Sequence, residues 1–320
     1  MKRCLELCLV AIGVALIAAP AASDPIAFTL LRTKLPQAAH VSLDNGIKVD
    51  TADWNSLIIA SVRIGTDKAG QALYGTCTAS FVGPAVLLTA AHCLFDPSTH
   101  GVRDAALGVE GLADPVKLKC DVDPLYVSAP DPLFPTSPRA SADFAVCHVA
   151  ASDDDLKLLQ MDRFESIALH HLYPQSTSVV MSGYGCTNWH MANGAPAADK
   201  ADGSLRIGDA RLSSVPDGAP PFGTYYAVVA HLSDGPALCP GDSGGPLFSN
   251  IDAAHADGSR LIIGVNSSIT MYGGVEYLLS DMAATGTDEF YNFLTAGYLK
   301  HYPGDKICGV NLKVGQRPCR

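Results

Sequence analysis

The chain of 320 residues has no cluster of basic side chains: 22 Lys and Arg stand against 32 Asp and Glu, a net charge of −10. That deficit argues against nucleic acid or an anionic membrane surface as partner, since both require a basic patch. It leaves the substrate open, because the charge of a whole molecule is not the charge of a pocket. No CxxC pair occurs, and the 10 histidines show no ligand-like spacing with the cysteines, so neither a metal nor a cofactor is expected. Sequence repeats and low-complexity tracts are missing. After the N-terminal segment there is no further long apolar run, and a membrane span needs about 20 such residues. Helical periods that could alternate with strands are also scarce, which excludes a mixed α/β fold.

What is present begins with Met1-Lys2-Arg3, an apolar stretch from about Leu7 to Ala19, and small residues through Ala22-Ser23. This is the layout of a secretory signal over 1–23, with cleavage near Ala21 to Ser23, and it is too short for a membrane anchor. A secreted or periplasmic location is expected, with no membrane attachment once the signal is removed and a monomeric mature protein. Cysteine usage agrees with export. Cys4 and Cys8 fall in the signal, and eight remain: Cys77, Cys93, Cys120, Cys147, Cys186, Cys239, Cys308 and Cys319. An even number suits disulfides, here as local staples, because the chain is long enough to build a core without them.

Short apolar runs rich in β-branched and aromatic residues dominate the rest. Leu57–Ile64, Val86–Thr89, Val116–Val122, Phe144–Val149, Ser178–Met181, Thr224–His231, Leu261–Val265 and Tyr277–Leu279 are separated by Gly, Pro, Asp and Ser. Many short strands with turn signals predict an all-β barrel or sandwich. One helix stands out near the end. Thr287-Asp288 can cap it, Phe290, Phe293, Leu294 and Tyr298 recur at helical spacing, and Pro303 stops it. The acidic stretch Asp153–Gln160 reads as a helical turn or a solvated loop, with the loop preferred.

Three segments carry chemistry. Cys239 to Pro246 reads CPGDSGGP and sets Ser243 in a tight glycine-flanked turn, with the amides of Gly241 and Ser243 able to point at one spot. A nucleophile beside two converging donors is what acyl transfer needs, because negative charge develops on the carbonyl oxygen during attack. Leu88 to Cys93 reads LTAAHC and supplies His92 as a base; Asp143 opens the segment DFAVCHV as an orienting carboxylate. The order His, Asp, Ser, at intervals of about 50 and 100 residues, is one on which hydrolytic triads recur. A GxSxG match at Gly241–Gly245 would also fit an α/β-hydrolase esterase. The only later histidines, His255 and His301, lack the matching context, and the β–α alternation is absent.

TAAHC, DFAV and GDSGGP together resemble the trypsin/chymotrypsin-type serine proteases, over roughly Asp50 to Leu299. The resemblance implies two six-stranded antiparallel β-barrels followed by a C-terminal α-helix. Barrel one would span about 51–151, barrel two about 166–285 and the helix about 287–300 within a protease domain of 51–300. The disulfide-bearing tail is 301–320. It further implies a secreted endopeptidase acting on protein or peptide substrates, with His92, Asp143 and Ser243 as the triad and Gly241 and Ser243 as oxyanion donors. A catalytically silent homologue serving as a binding or regulatory module is the rival reading; such homologues usually lose a triad member, and this chain keeps all three.

The resemblance has departures. Members of the family bury the carboxylate at Asp242 against an N-terminal ammonium freed by an activating protease. No Ile-Val-Gly-Gly start lies upstream of Cys77; Asn45-Gly-Ile-Lys-Val-Asp50 stands there, with 24–50 as a candidate pro-segment and Ile47 or a neighbour as a candidate new N-terminus. Cys77 with Cys93 matches the family staple of the histidine loop. Position and separation favour Cys120 with Cys147, Cys186 with Cys239, and Cys308 with Cys319, out of 15 pairings that six cysteines allow. The middle pair replaces a family link whose loop cysteine is missing here. Ala237 falls at the base of the primary pocket, followed by Leu238, so no buried carboxylate selects Lys or Arg. Ser267, Ser268 and Ile269 resemble the strand that pairs with substrate, and Ile269 stands where a glycine usually keeps the pocket open. A small or medium apolar side chain is therefore the expected preference. Asn266-Ser267-Ser268 reads as a glycosylation sequon, taken as a chance match because it sits in a predicted strand.

Overall fold

The computed structural model describes residues 26–29, 43, 45–66, 71–96, 99–110, 112–128, 140–192, 195–199, 201–216, 225–231, 235–252, 259–272 and 277–320. The expected signal, 1–23, lies outside these residues.

The fold is mostly β. Seven strands close the first barrel, in the order Ile26–Thr29, Leu57–Thr66, Ala72–Gly83, Val86–Thr89, Ala145–Val149, Val116–Val122, Ala105–Gly108 and back to Ile26–Thr29. Every pairing is antiparallel except that of Ile26–Thr29 with Ala105–Gly108. The expectation of six strands is corrected to seven. The extra strand comes from the stretch assigned to a pro-segment, and it fills the gap between two edges that would otherwise expose unpaired backbone groups. Its burial alternates, with Ile26 and Phe28 inside.

The second sheet has eight strands. Its path runs Tyr225–His231, Tyr277–Ala284, Leu261–Tyr272, Pro246–Ser249, Ser178–Gly183, Arg206–Arg211 and Ile47–Lys48, with Ser166–Ile167 set parallel beside Leu261–Tyr272. Among the described residues this sheet does not close, so the second six-stranded barrel is corrected to an open half-barrel. Its last strand, Ile47–Lys48, is two residues long and, among the described residues, pairs on one edge only.

At Asp153–Leu158 the structure has a short helix, the helical turn rather than the preferred solvated loop. Ser152 and Asp155 form a reciprocal capping box, and three aspartates occupy the first turn, where the helix dipole favours them. Near the C-terminus, Thr287 caps Asp288–Asn292, and a π-helical turn, Phe293–Tyr298, continues it to Leu299–His301. Phe290, Leu294 and Tyr298 are buried, the face that the spacing predicts.

Two devices seat the halves against each other. Glu165 and Arg260 are fully buried and paired at 2.6 Å, and the guanidinium lies 3.8 Å over the ring of Trp54. Ser56 donates to the same carboxylate and Arg260 donates to Asp53 O, so both charges are hydrogen-bonded. Removing one partner of such a pair costs about 3–5 kcal/mol. The tail forms the second device. Cys308 N–H donates to Val82 O in the barrel, while Ile167 N–H donates to Cys308 O and Phe164 N–H to Pro318 O. The disulfide Cys308–Cys319 closes this clasp.

Candidate active site

Strand register brings the base and the carboxylate together. Ala145 lies opposite Thr89 in the first barrel. His92 follows Thr89 by three residues in a single helical turn, Ala91–Leu94, and Asp143 precedes Ala145 by two. Both therefore leave neighbouring strands at the same end. The Asp143 carboxylate is buried and grips His92 twice: Nδ1–H donates to Oδ2 at 2.6 Å and the backbone N–H donates to Oδ1 at 2.9 Å. A carboxylate on Nδ1 fixes the proton there and leaves Nε2 as the acceptor. Ser267 Oγ also donates to Asp143 Oδ2, at 2.6 Å. Burial would lower the histidine pKa, but the charge of Asp143 and its hydrogen bond outweigh that, and the pKa is raised above 6.5.

Ser243 reaches the same place from the second sheet. Its carbonyl accepts Thr78 N–H at 2.7 Å and lies 3.7 Å from Cys93 Sγ, beside His92. Gly244 has φ +81°, and a Cβ there would sit 2.1 Å from Thr89 Oγ1, so only glycine lets the turn dock against the strand that leads to His92. Among the described residues, Ser243 Oγ and His92 Nε2 are not hydrogen-bonded to each other. Such bonds often tighten only when substrate is bound.

The amides of the turn divide cleanly. Cys239 N–H donates to Asp242 Oδ2, Asp242 N–H to Cys239 O, Gly244 N–H to Asn266 O and Gly245 N–H to Asp242 O. Pro240 has no N–H. Of the N–H groups from Cys239 to Gly245, only those of Gly241 and Ser243 have no acceptor among the described residues. Buried or half-buried amides are almost always paired, so two open donors flanking Asp242 form a place for an anion.

Asp242 itself is buried. Its carboxylate accepts Gly185 N–H and Cys239 N–H, each at 2.8 Å. Burial pushes its pKa up to about 7, against the pull of those two amides and of Arg206. Ile47 is half-exposed and paired with Ile207, while Leu43, four residues upstream, is buried in the core of the second sheet.

Four disulfides are formed: Cys77–Cys93, Cys120–Cys147, Cys186–Cys239 and Cys308–Cys319. The first fixes the residue after His92, and the third ties the start of the Ser243 turn to the loop after Gly185.

The residues assigned to substrate selection are less uniform. Ala237 is fully buried in a small apolar cluster with Ala230 and Leu278, on which Trp189 and Ile269 pack. Leu238 points instead into the core of the second sheet, with Leu247 and Tyr226. Ser268 Oγ donates to Asp281 Oδ2 at 3.1 Å. Trp189, which no sequence motif marks, donates its Nε1–H to Leu238 O at 3.0 Å. Thr78 and Asn266, which no catalytic motif marks either, contact the turn directly. Asn266 is buried and its Nδ2 donates to Ser182 O and Asp242 O, so the sequon around it is closed to glycosylation. A cavity of about 910 Å³, lined by Ile167, His170, Tyr291 and Val310 among others, includes none of the three triad candidates.

A family model described as Trypsin matches residues 50–277. The chain belongs to the trypsin family. As a trypsin-family member it is a serine endopeptidase. The solved structures it is similar to include a thermostable serine protease, AL20, from an extremophilic microorganism, at 14% identity and TM-score 0.48, covering 76% of this chain and 97% of that one. A Glu endopeptidase in complex with MPD has 18% identity and TM-score 0.45, covering 79% and 96%. Protease Anisep from Arthrobacter nicotinovorans has 15% identity and TM-score 0.45, covering 76% and 95%. A search of curated proteins finds no match.

Proposed function

We propose that this trypsin-family protein is an exported endopeptidase in which Ser243 is the nucleophile, His92 the general base and Asp143 the group that orients it. His92 Nε2 takes the Ser243 proton as Oγ attacks the peptide carbonyl. The carbonyl π electrons move onto oxygen, which the open N–H groups of Gly241 and Ser243 receive. Collapse of that intermediate breaks the C–N bond, and His92 returns the proton to the leaving amine. Water then repeats the sequence on the acyl-enzyme and frees Ser243.

The observation that carries this reading is the pair of amides left open on either side of Asp242, in a turn whose other N–H groups are all paired. Losing one such donor costs about 2.7–4 kcal/mol of transition-state stabilisation. Export is supported by the N-terminal apolar segment and by the four disulfides. Among the described residues, no helix is long and apolar enough to cross a membrane.

For specificity, we read the primary pocket as shallow and uncharged. Ala237 supplies no carboxylate, and Ile269 and Trp189 pack on its cluster from two segments. Small or medium apolar residues before the cleaved bond fit such a site, whereas Lys and Arg would bring an uncompensated charge.

Activation by cleavage near Ile47 would have to leave the Ile26–Thr29 strand in place. Its loss would expose two fully buried side chains and unpair two strands of the barrel. We therefore place the segment in the working enzyme, whether or not a bond after it is cut.

The test is proteolysis of an unfolded protein by secreted wild type and by Ser243→Ala, followed by a peptide-library profile. Cleavage by wild type alone, mainly after Ala, Val or Leu, is the expected result. A profile dominated by Arg, Lys or Glu overturns the pocket reading, and equal cleavage by Ser243→Ala overturns the nucleophile.

A further inference from the structure

Thr78 lies in the first barrel, one residue after Cys77, and is completely buried. It touches the Ser243 turn of the second sheet through both its backbone and its side chain. Its N–H donates to Ser243 O at 2.7 Å. Its hydroxyl accepts Tyr184 N–H at 3.0 Å and donates to Gly241 O at 3.0 Å. The direction of this chain is fixed by chemistry: an amide N–H can only donate, a carbonyl can only accept, and one hydroxyl proton serves the link between them. Thr89 Oγ1 in turn donates to Thr78 O at 2.8 Å and steadies the residue from the neighbouring strand.

Gly241 needs such an anchor. Its φ is +109°, and a Cβ there would come within 2.8 Å of Gly185 Cα, so no other residue fits. Glycine is also the residue whose peptide planes rotate most freely. A catalytic donor carried by glycine must therefore be aimed by its surroundings.

We propose that Thr78 is a positioning residue for catalysis: its hydroxyl clamps the Gly241 carbonyl while its N–H clamps the Ser243 carbonyl. Together they hold the two oxyanion amides in register across the junction of the two sheets. The proposal rests on the reading of Ser243 and these amides given above. Thr78 touches no substrate and acts only through Gly241 and Ser243.

The decisive variant is Thr78→Val, which keeps the shape, removes the hydroxyl, and leaves Tyr184 N–H and Gly241 O unpaired. One oxyanion donor is worth about 10²–10³ in kcat. Loosening rather than removing it should lower kcat by about 10–100-fold, with KM within about threefold of wild type. Affinity for a peptide boronic acid, whose tetrahedral adduct loads the oxyanion site, should fall in step with kcat/KM. Thr78→Ser restores the hydroxyl and should recover activity to within about threefold. Thr285→Val removes another buried hydroxyl, one that donates to Ala168 O and Ile262 O; it should lower the melting temperature while leaving kcat unchanged. If Thr78→Val does not fold, Thr78→Ala makes the same comparison.

A folded hydroxyl-free variant with wild-type kcat and boronic acid affinity overturns the proposal. So does a serine variant as impaired as the valine one. Wild type that takes no fluorophosphonate label and cleaves nothing overturns the active-site reading, and this one with it; a labelled, active wild type confines any failure to Thr78.

Discussion

Among the described residues, two of the histidine–aspartate pairs have a nearly buried carboxylate, and they resemble each other closely. His92 Nδ1 meets Asp143 at 2.6 Å and His148 Nδ1 meets Asp305 at 3.0 Å. The histidine side chains are 32% and 27% exposed, and the carboxylates 2% and 8%. Both pairs even share a strand, since Asp143 precedes Ala145–Val149 and His148 lies near its other end. Each aspartate also accepts a hydroxyl, from Ser267 and Tyr298 respectively. The difference lies on the other side of the imidazole. His92 stands beside Cys93 and the Ser243 turn with its two open amides, whereas the ring of His148 is stacked on Tyr302, 7° from parallel. An imidazole oriented by a carboxylate is thus a structural part that a fold can use anywhere. On the proposed mechanism it becomes catalytic only where a nucleophile and open donors stand beside it.

Four predictions separate the two pairs. Asp143→Asn should reduce kcat by about 10⁴ through the wrong imidazole tautomer. Asp305→Asn should leave kcat within about twofold while lowering stability by about 1–3 kcal/mol, read by thermal melting. Equal losses of kcat in the two variants would erase the distinction.

The pH–rate profile should carry an acid limb set by His92 alone. Its folded pKa is raised, so the base becomes protonated, and kcat/KM falls, as pH drops through a value above 6.5. The linked stability has the opposite sense: the charged pair helps the fold below the unfolded pKa, and that help is lost as pH rises through the folded one. Removing His148 should not move the acid limb, and a shift on His148→Phe would contradict the assignment.

Removing the hydroxyls gives a smaller contrast. Ser267→Ala takes a donor from the Asp143 carboxylate and should cost about tenfold in kcat. Tyr298→Phe should cost stability only, because Asp305 then lies buried with one donor fewer. His148→Phe, with no expected effect on kcat, keeps the ring over Tyr302 but takes a hydrogen bond from the buried Asp305 carboxylate. That should lower stability by about 1–3 kcal/mol, measured by denaturant unfolding.

The sequence made His92, Asp143 and Ser243 readable because each sits in a compact motif whose neighbours have local reasons to be there. It also made the strands legible where apolar residues alternate, and the C-terminal helix where Thr287 caps a helical face. Ile26–Thr29 escaped because four residues carry too little periodicity to announce a strand, and its two partners lie far along the chain. At Asp153–Gln160 the residues admit both a helical turn and a solvated loop: three aspartates in a row favour the loop, while Ser152 and Asp155 supply the capping box that the helix uses. Thr78 and Asn266 escaped for a different reason. Their roles are hydrogen bonds between segments more than 80 residues apart, and no spacing rule encodes those. The pair at His148 and Asp305 was equally invisible, since 157 residues separate its members.

The most direct test is site mapping of a fluorophosphonate adduct on folded, secreted protein. The account predicts one phosphonyl group on Ser243 in wild type and in Asp305→Asn, strongly slowed labelling in Asp143→Asn, and none in Ser243→Ala. A folded wild type that takes no label, or a Ser243→Ala protein that is labelled as fast as wild type, would contradict it.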